Sequence, residues 1–176
     1  MFVTGYSGRI PGCSSVAEFW EHVCQGTNFS SSHLDVKENN IKSEPTATFL
    51  GQSLPQDSPS LTLLQVVYEA ISDASYCLAD LAGSNTGVFV ALSGESSSSD
   101  SISSAEQIAT IFELRGPTVE LQGGSLVALD LASRAIRSGA LSRAMVVEGG
   151  GWAQGTGALF FDWLLGVFFN AMYYCP

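Results

Sequence analysis

Two short apolar runs constrain the fold of this chain more than any other feature of its sequence. Residues 86–92 read T-G-V-F-V-A-L, with no alternation of apolar and polar residues, and residues 144–148 read A-M-V-V-E. Strands that are apolar on both faces are typical of a mostly parallel sheet that helices cover on both sides. The two runs therefore predict an α/β protein built around a buried sheet.

Helices and further short strands alternate with these runs. In chain order the predicted elements are a strand at 2–5, a helix after Ser15, a helix over 61–74, the strand at 86–92, a helix over 103–112, a strand at 118–121, a helix over 125–138 and the strand at 144–148. Between them, residues 27–59 are interrupted by three prolines and are predicted to form an irregular connection, and residues 95–104 form a Ser-rich loop.

Local signals position two of the helices. Ser15 with Glu18 three residues later forms a capping box, and Gly26 is placed to end that helix in a left-handed cap. In the second helix a helical period indicates one apolar stripe, formed by Leu61, Leu64, Val67, Tyr68 and Ile71.

Charge and cysteine content exclude several classes of function. The chain has 7 basic and 17 acidic residues and a net charge of −10, which argues against a surface for nucleic acid or for an anionic membrane. Its N-terminus lacks the basic region and long apolar run of a signal peptide, so a cytoplasmic location is expected. No C-x-x-C motif or histidine at zinc-ligand spacing accompanies the cysteines, so we predict no metal site and expect reduced, mostly buried thiols at Cys13, Cys24, Cys77 and Cys175.

Five segments, in order, form a series of motifs. The first is V-T-G-Y-S-G-R-I-P-G-C-S-S-V-A-E-F-W-E, and the others are L-L-Q-V-V-Y-E-A-I-S-D-A-S-Y, N-T-G-V-F-V-A-L-S-G, L-R-G-P-T-V and S-L-V-A-L-D-L-A-S-R-A-I-R-S-G. Together they cover most of residues 2–151 and resemble the N-terminal half of the β-ketoacyl synthase domain of modular and fungal polyketide synthases. In that family the first segment reads V-G-M-S-G-R-F-P-G and is followed by a helix with E-F-W.

The resemblance implies a thiolase-like fold, in which two similar α/β halves pack together, usually in a homodimer. It implies an acyltransferase that uses no cofactor and performs decarboxylative condensation. A cysteine at the start of a buried helix accepts the acyl chain from an acyl carrier protein, and the helix dipole favours its thiolate. In the family, two histidines from the second half of the domain serve the decarboxylation and stabilise the developing oxyanion. His22 and His33 precede the first long helix and do not correspond to them.

The turn that should carry this cysteine is where the resemblance fails. The family reads G-P-S-V-T-V-D-T-A-C-S-S-S-L-V-A-L, whereas this chain has only T-V-E-L-Q-G-G between Pro117 and Ser125. Counting back from Ser125 places Gln122 at the cysteine, and counting forward from Pro117 places it at the family's aspartate. Gln122 is thus the residue nearest the lost nucleophile, and we predict that the catalytic site has been deleted. The alternative is a remnant decarboxylase that uses Gln122, because a cysteine-to-glutamine change is known to give this activity in the family.

The C-terminal part of the chain does not resemble the family. Residues 149–157 contain G-x-x-x-G-x-G, as in dinucleotide-binding loops, but only 19 residues follow, so no cofactor site is predicted. Residues 152–176 form an apolar tail in which Asp162 and Asn170, and the lack of flanking Lys or Arg, argue against a membrane span. The tail is expected to be loosely packed or aggregation-prone, or to derive from translated intron or frame-shifted sequence, so the domain should end at residue 151.

These observations predict a thiolase-like half-fold over residues 1–151, in a truncated ketosynthase-like protein of polyketide or secondary-metabolite biosynthesis that does not catalyse condensation. A non-catalytic module that pairs with an intact ketosynthase is a further alternative. The expected partners are an acyl carrier protein or an intact ketosynthase, together with self-association through apolar surface. The basic residues Arg134, Arg137 and Arg143 are interpreted as one cluster that complements a helix dipole or contacts the phosphate of a carrier protein.

Overall fold

Five strands form one mixed sheet in the computed structural model, which describes residues 2–10, 13, 15–27, 59–92, 102–149 and 156–162. The strands are β1 (Phe2–Arg9), β2 (Thr86–Leu92), β3 (Thr118–Gln122), β4 (Arg143–Gly149) and β5 (Thr156–Asp162). Their order across the sheet is β1-β5-β4-β2-β3. β2 is parallel to both β3 and β4, whereas β5 is antiparallel to both β1 and β4.

Helices cover both faces of this sheet. They are α1 (Val16–Cys24), α2 (Pro59–Asp73), α3 (Leu78–Leu81), α4 (Ser104–Ile111) and α5 (Ser125–Arg137). On one face, α2 and α4 pack against Val88 and Val90 of β2, and on the other face α5 packs against Phe89 and Ala91. The absence of alternation in this strand therefore correctly predicts burial on both faces.

Helix boundaries follow the local signals. The Ser15 hydroxyl accepts a hydrogen bond from the Glu18 backbone N–H at 3.1 Å, as in a capping box, and Gly26 follows the helix with a φ of 67°. Gly139 is likewise left-handed just after α5. The other predicted helices and strands over 59–149 form within a few residues of their expected bounds.

The predicted apolar stripe of α2 is partly wrong. Leu61 and Tyr68 are 48% and 53% exposed. The buried face is formed by Leu63, Val66, Val67, Ala70, Ile71 and Ala74. The helix takes this rotation because its small residues must meet β1: a Cβ at Gly5 would lie 2.1 Å from the Ala70 oxygen, so only glycine allows this approach.

The first strand is longer than predicted. The sequence predicts a strand over residues 2–5 alone, yet β1 continues to Arg9, which is paired with Thr156 of β5. Ser7 and Arg9 also bind the carboxylate of Glu69 on α2. Long-range pairing thus overrides the local preference of glycine and serine for turns.

Part of the predicted tail belongs to the sheet. Residues 156–162 form β5, which lies between β1 and β4, and Phe160 and Phe161 are almost completely buried on opposite faces. The expected domain end at residue 151 is therefore wrong for this segment, because without it β1 would have no neighbour. Residues 163–176 lie outside the described part of the chain.

Other predictions also fall outside the described residues. These are residues 28–58 of the irregular connection predicted over 27–59, most of the Ser-rich loop, and Gly151 and Gly155 of the glycine-rich segment. Ser103, where the predicted loop and the predicted helix over 103–112 overlap, caps α4 through its hydroxyl. Among the residues that are described, no helix is both long and apolar enough to cross a membrane.

Candidate active site at the turn between β3 and α5

The carboxyl ends of the parallel strands meet at one edge of the sheet. Leu92, the last residue of β2, is paired with Gln122 at the end of β3 and with Gly149 at the end of β4. Ligands of open α/β sheets bind at this edge. The turn from β3 to α5 leaves the sheet here, at the position where the sequence predicts the lost nucleophile.

Two consecutive left-handed glycines build this turn. Gly123 and Gly124 have φ values of 72° and 74°, a region that residues with a Cβ rarely adopt. The Gly123 N–H donates to the Leu92 carbonyl at 2.6 Å, and the Gly124 carbonyl accepts from the N–H of Val127 at 2.7 Å. A Cβ at Gly123 would meet nothing within 4 Å, so there is space for a larger residue. Glycine is favoured at this position because of its left-handed backbone conformation. The pair allows the chain to pass from strand to helix in few residues.

Residues 122–124, which form this turn, supply no nucleophile. Gln122 is exposed at the end of β3, and a neutral amide does not form a thioester. Gly124 is the N-cap of α5 and offers no capping side chain. Ser125 is the first residue of the helix and is partly buried. The structure thus retains the strand, the turn and the helix on which a nucleophile could be placed.

The described cysteines lie away from this turn. Cys77 precedes α3 and thus lies near the opposite edge, where β2 begins. Cys13 follows β1, which is four inter-strand spacings from β3, roughly 19 Å. Burial raises the pKa of the Cys13 thiol and the charge of Glu18 raises it further, so its thiolate is disfavoured.

The expected burial of the cysteines is wrong. Cys24 and Cys77 are exposed and Cys13 is partly exposed, and these three are free thiols. Cys24 lies on α1, a helix with no buried residue, and Cys77 lies in the connection after α2, so neither position faces the core. Cys175 is outside the described residues. His22 also lies on α1, with its Nε2 3.9 Å from Glu18 Oε1.

The predicted arginine cluster does not form. Arg134 is paired with Asp130 on the exposed side of α5 at 2.6 Å, and Arg137 lies in the last turn of the same helix. Arg143, however, begins β4 and its Nε lies 3.2 Å from Asp162 Oδ2. Arg143 lies on the α2 side of β4, whereas α5 covers the other side, and the spacing in sequence did not reveal this.

A buried polar cluster at the amino edge of the sheet was missed. Asp162 is fully buried and accepts hydrogen bonds from the Tyr76 hydroxyl and from Arg143. The Arg143 guanidinium carbon lies 4.7 Å from the Tyr76 ring centroid. Burial raises the pKa of Tyr76 and its hydrogen bond to Asp162 raises it further. The signal in the sequence was an aspartate within an apolar run.

No group of three or more His, Cys, Asp and Glu side chains that could hold a metal ion occurs in the described ranges. Of the glycine-rich segment, Gly149 and Gly157 lie within β4 and β5, where a Cβ at Gly149 would lie 2.8 Å from Leu92 Cδ2. Gly149 thus permits the close packing of β4 and β2, whereas a Cβ at Gly157 would make only an ordinary contact, 3.4 Å from the Ser7 oxygen.

Comparison with known sequences identifies the family. Residues 1–107 match the N-terminal domain of beta-ketoacyl synthases. The chain is 28% identical over 180 residues to a fatty acid synthase of Anser anser anser, across 82% of this chain and 51% of that sequence. It is 29% identical over 194 residues to a highly reducing polyketide synthase of Didymella fabae, across 82% of this chain and 10% of that one. It thus spans about half the length of the first relative and a tenth of the second.

Solved structures share the fold. An oxazolomycin ketosynthase domain of Streptomyces albus superimposes with a TM-score of 0.68 at 24% identity, over 96% of this chain and 48% of that one. A ketosynthase from module 6 of the bacillaene synthase of Bacillus subtilis gives a TM-score of 0.70 at 21% identity, over 96% of this chain and 38% of that one. The fold is therefore thiolase-like. The family match covers more than half of the chain but ends before β3, so it does not bear on the turn. On this match, the chain belongs to the beta-ketoacyl synthase family.

Proposed function

We propose that this chain is a ketosynthase-like protein of polyketide or secondary-metabolite biosynthesis that forms no acyl thioester at its β3–α5 turn and does not catalyse condensation. One observation carries the proposal: Gln122, Gly123 and Gly124 occupy the turn from strand to helix, and none of them is a nucleophile. The likeness to polyketide synthases supports the biosynthetic context.

The chemistry of the turn explains the expected loss of condensation. Thioester exchange needs a thiolate, which a helix N-terminus stabilises when a cysteine lies beside it. Here the start of α5 is preserved while the thiol is absent. The cysteines at residues 13, 24 and 77 lie on other elements, and the raised pKa of the Cys13 thiol disfavours the reactive form.

A non-catalytic binding role is the second candidate. Leu126, Val127 and Leu131 expose apolar surface on the side of α5 that faces away from the sheet. Surface of this kind is typical of protein interfaces. It favours self-association or pairing with an intact ketosynthase over an isolated, freely soluble module. An acyl carrier protein stays a proposed partner on the basis of the family alone.

Acyl transfer can be tested directly by intact mass spectrometry. The chain is incubated with acyl-carrier-protein thioesters, and malonyl-carrier is then added. We expect no acyl adduct that transfers to malonyl-carrier. A variant with serine at all four cysteine positions controls for chance acylation of exposed thiols. An adduct on the original chain that is passed on to malonyl-carrier would overturn the proposal.

The same assay distinguishes the decarboxylase alternative. If Gln122 supports decarboxylation, malonyl-carrier is converted to acetyl-carrier, and Gln122→Ala abolishes this conversion. We expect the original chain and Gln122→Ala to give the same background rate. Ser138→Ala, after the far end of α5, is a matched control for an exposed polar residue.

A further inference from the structure

The register of β5 is poorly specified by its apolar residues. Ala158 and Phe160 pack on the α2 side of the sheet, and Leu159 and Phe161 pack on the α5 side. A shift of β5 by one residue relative to β4 would exchange these two sets between the faces. Each set contains one phenylalanine and one smaller apolar residue, so burial alone distinguishes the two registers weakly.

The polar cluster at the end of β5 does distinguish them. Asp162 is paired with Arg143 across the β4–β5 ladder, and both side chains lie on the α2 side with Tyr76. The Tyr76 ring also packs 5.4 Å from the ring of Phe160, which places it over the same face. These contacts require Asp162 to point to the α2 side.

A shifted register would remove the partners of Asp162. In one direction Asp162 would lie opposite Ala144, whose side chain belongs to the apolar cluster beneath α5 together with Leu141. A shift of one residue in the other direction would also turn it towards α5. A buried carboxylate without partners is strongly unfavourable. A slip that costs little in apolar packing would thus cost much at this one residue.

We propose that Tyr76, Arg143 and Asp162 form a register lock that selects one of two nearly equivalent pairings of β5 with β4. Buried polar groups that specify a unique alignment are known from other folds. The lock also determines the position of β1, because β1 is joined to the rest of the sheet through β5.

Cross-strand disulfides can report the register. Val146 lies opposite Leu159, and both side chains lie on the α5 side, so Val146→Cys with Leu159→Cys reports the observed pairing. Val146→Cys combined with Ala158→Cys or with Phe160→Cys reports a slip in either direction. In the observed register these pairs point to opposite faces and cannot be bridged. All reporters are made in the full chain with the four native cysteines replaced by serine.

Two sets of substitutions then remove the interactions of the register lock. Asp162→Asn removes the charge at nearly constant shape, and the double variant Arg143→Met, Asp162→Leu replaces the pair by apolar groups. With the lock intact we expect only the Val146–Leu159 bridge. In the double variant we expect a slipped bridge to reach about a tenth or more of the crosslinked product. Asp162→Asn should give a smaller but detectable amount. Asp130→Asn, which breaks the exposed pair with Arg134, is the control and should give none.

Two outcomes would overturn the proposal. The first is a folded double variant that forms only the Val146–Leu159 bridge, because the apolar residues would then suffice to select the register. The second is a double variant that does not fold while Asp162→Asn folds in the observed register alone. The cluster would then stabilise the fold without selecting the register. Slipped bridges in both opened variants would support the lock.

Discussion

One carboxylate joins the first strand to the helix that covers it. Glu69 of α2 accepts a hydrogen bond from the Ser7 hydroxyl and binds the Arg9 guanidinium through both oxygens, at 2.8 Å and 2.5 Å. The hydrogen bond from Arg9 is the main reason that the pKa of Glu69 lies below its ordinary value, and the bond from Ser7 lowers it further. Because the pair is partly exposed, its contribution to stability is modest.

The pH dependence of this pair is predictable in sign. A carboxylate whose pKa is lower in the folded state stabilises the fold above its unfolded value, near 4.5, and this contribution is lost as the pH falls through the folded value. We expect Glu69→Gln to reduce the free energy of unfolding by up to about 1 kcal/mol at neutral pH and by less in acid. Urea unfolding of both proteins across this range measures the difference. A constant difference at all pH values, or an equal effect from Asp130→Asn, would contradict this account.

The packing of α2 on β1 depends on close approach between two elements. At Gly5 a Cβ would lie 2.6 Å from the Ala74 nitrogen and 2.8 Å from the Ala74 Cβ, in addition to its clash with Ala70. Two of these three atoms belong to the backbone, one within α2 and one in the residue that directly follows it, so the clash is not relieved by rotating a side chain. The helix would have to move away from the sheet, and it also packs on β5 through the same apolar cluster.

Gly5→Ala should therefore destabilise the fold strongly. We expect a loss of at least about 2 kcal/mol in the free energy of unfolding, measured in urea. Gly157→Ala is a matched control in the neighbouring strand, since its Cβ would lie 3.4 Å from its nearest atom, the Ser7 oxygen. A smaller loss at residue 5 than at residue 157 would show that α2 adjusts freely and that the close approach does not determine its position.

At the scale of the whole molecule, helix α5 presents apolar side chains to solvent. On α5, the outward side chains of Leu126, Val127 and Leu131 are 78%, 53% and 37% exposed. The chain carries a net charge of −10, which opposes association by repulsion, but salt screens this repulsion beyond about 8 Å at physiological ionic strength. At physiological salt, the attraction between apolar surfaces should therefore outweigh the repulsion between the charged chains.

Self-association through α5 is accordingly expected to increase with salt. Light scattering of the full chain should show an average mass above that of the monomer at physiological salt, and Leu126→Ser with Val127→Ser should lower it. Ile111→Ser on α4 is the control, because it removes an exposed apolar side chain from the opposite layer. A chain that stays monomeric at every salt concentration, or an equal effect of the control, would count against this surface.

Much of the fold could be read from local patterns. The runs at 86–92 and 144–148 are apolar enough to identify buried strands, and Ser15 and Gly139 mark helix ends through their own side chain or backbone. The motifs that resemble ketosynthases, and the missing nucleophile near Gln122, are also properties of the sequence. Each of these signals depends only on residues that are close together in the sequence, so it can be recognised without knowledge of the fold.

Contacts between distant residues decided the rest. Residues 156–162 became a strand because β1, whose paired residues lie 147 to 160 positions earlier, and β4 pair with them on both sides. The same pairing buried Asp162 beside Arg143 and Tyr76, and the approach of Ala70 to Gly5 selected the buried face of α2. An apolar run can be a loose tail or the middle of a sheet, and only its partners in space distinguish the two, because burial and strand pairing are properties of the assembled core.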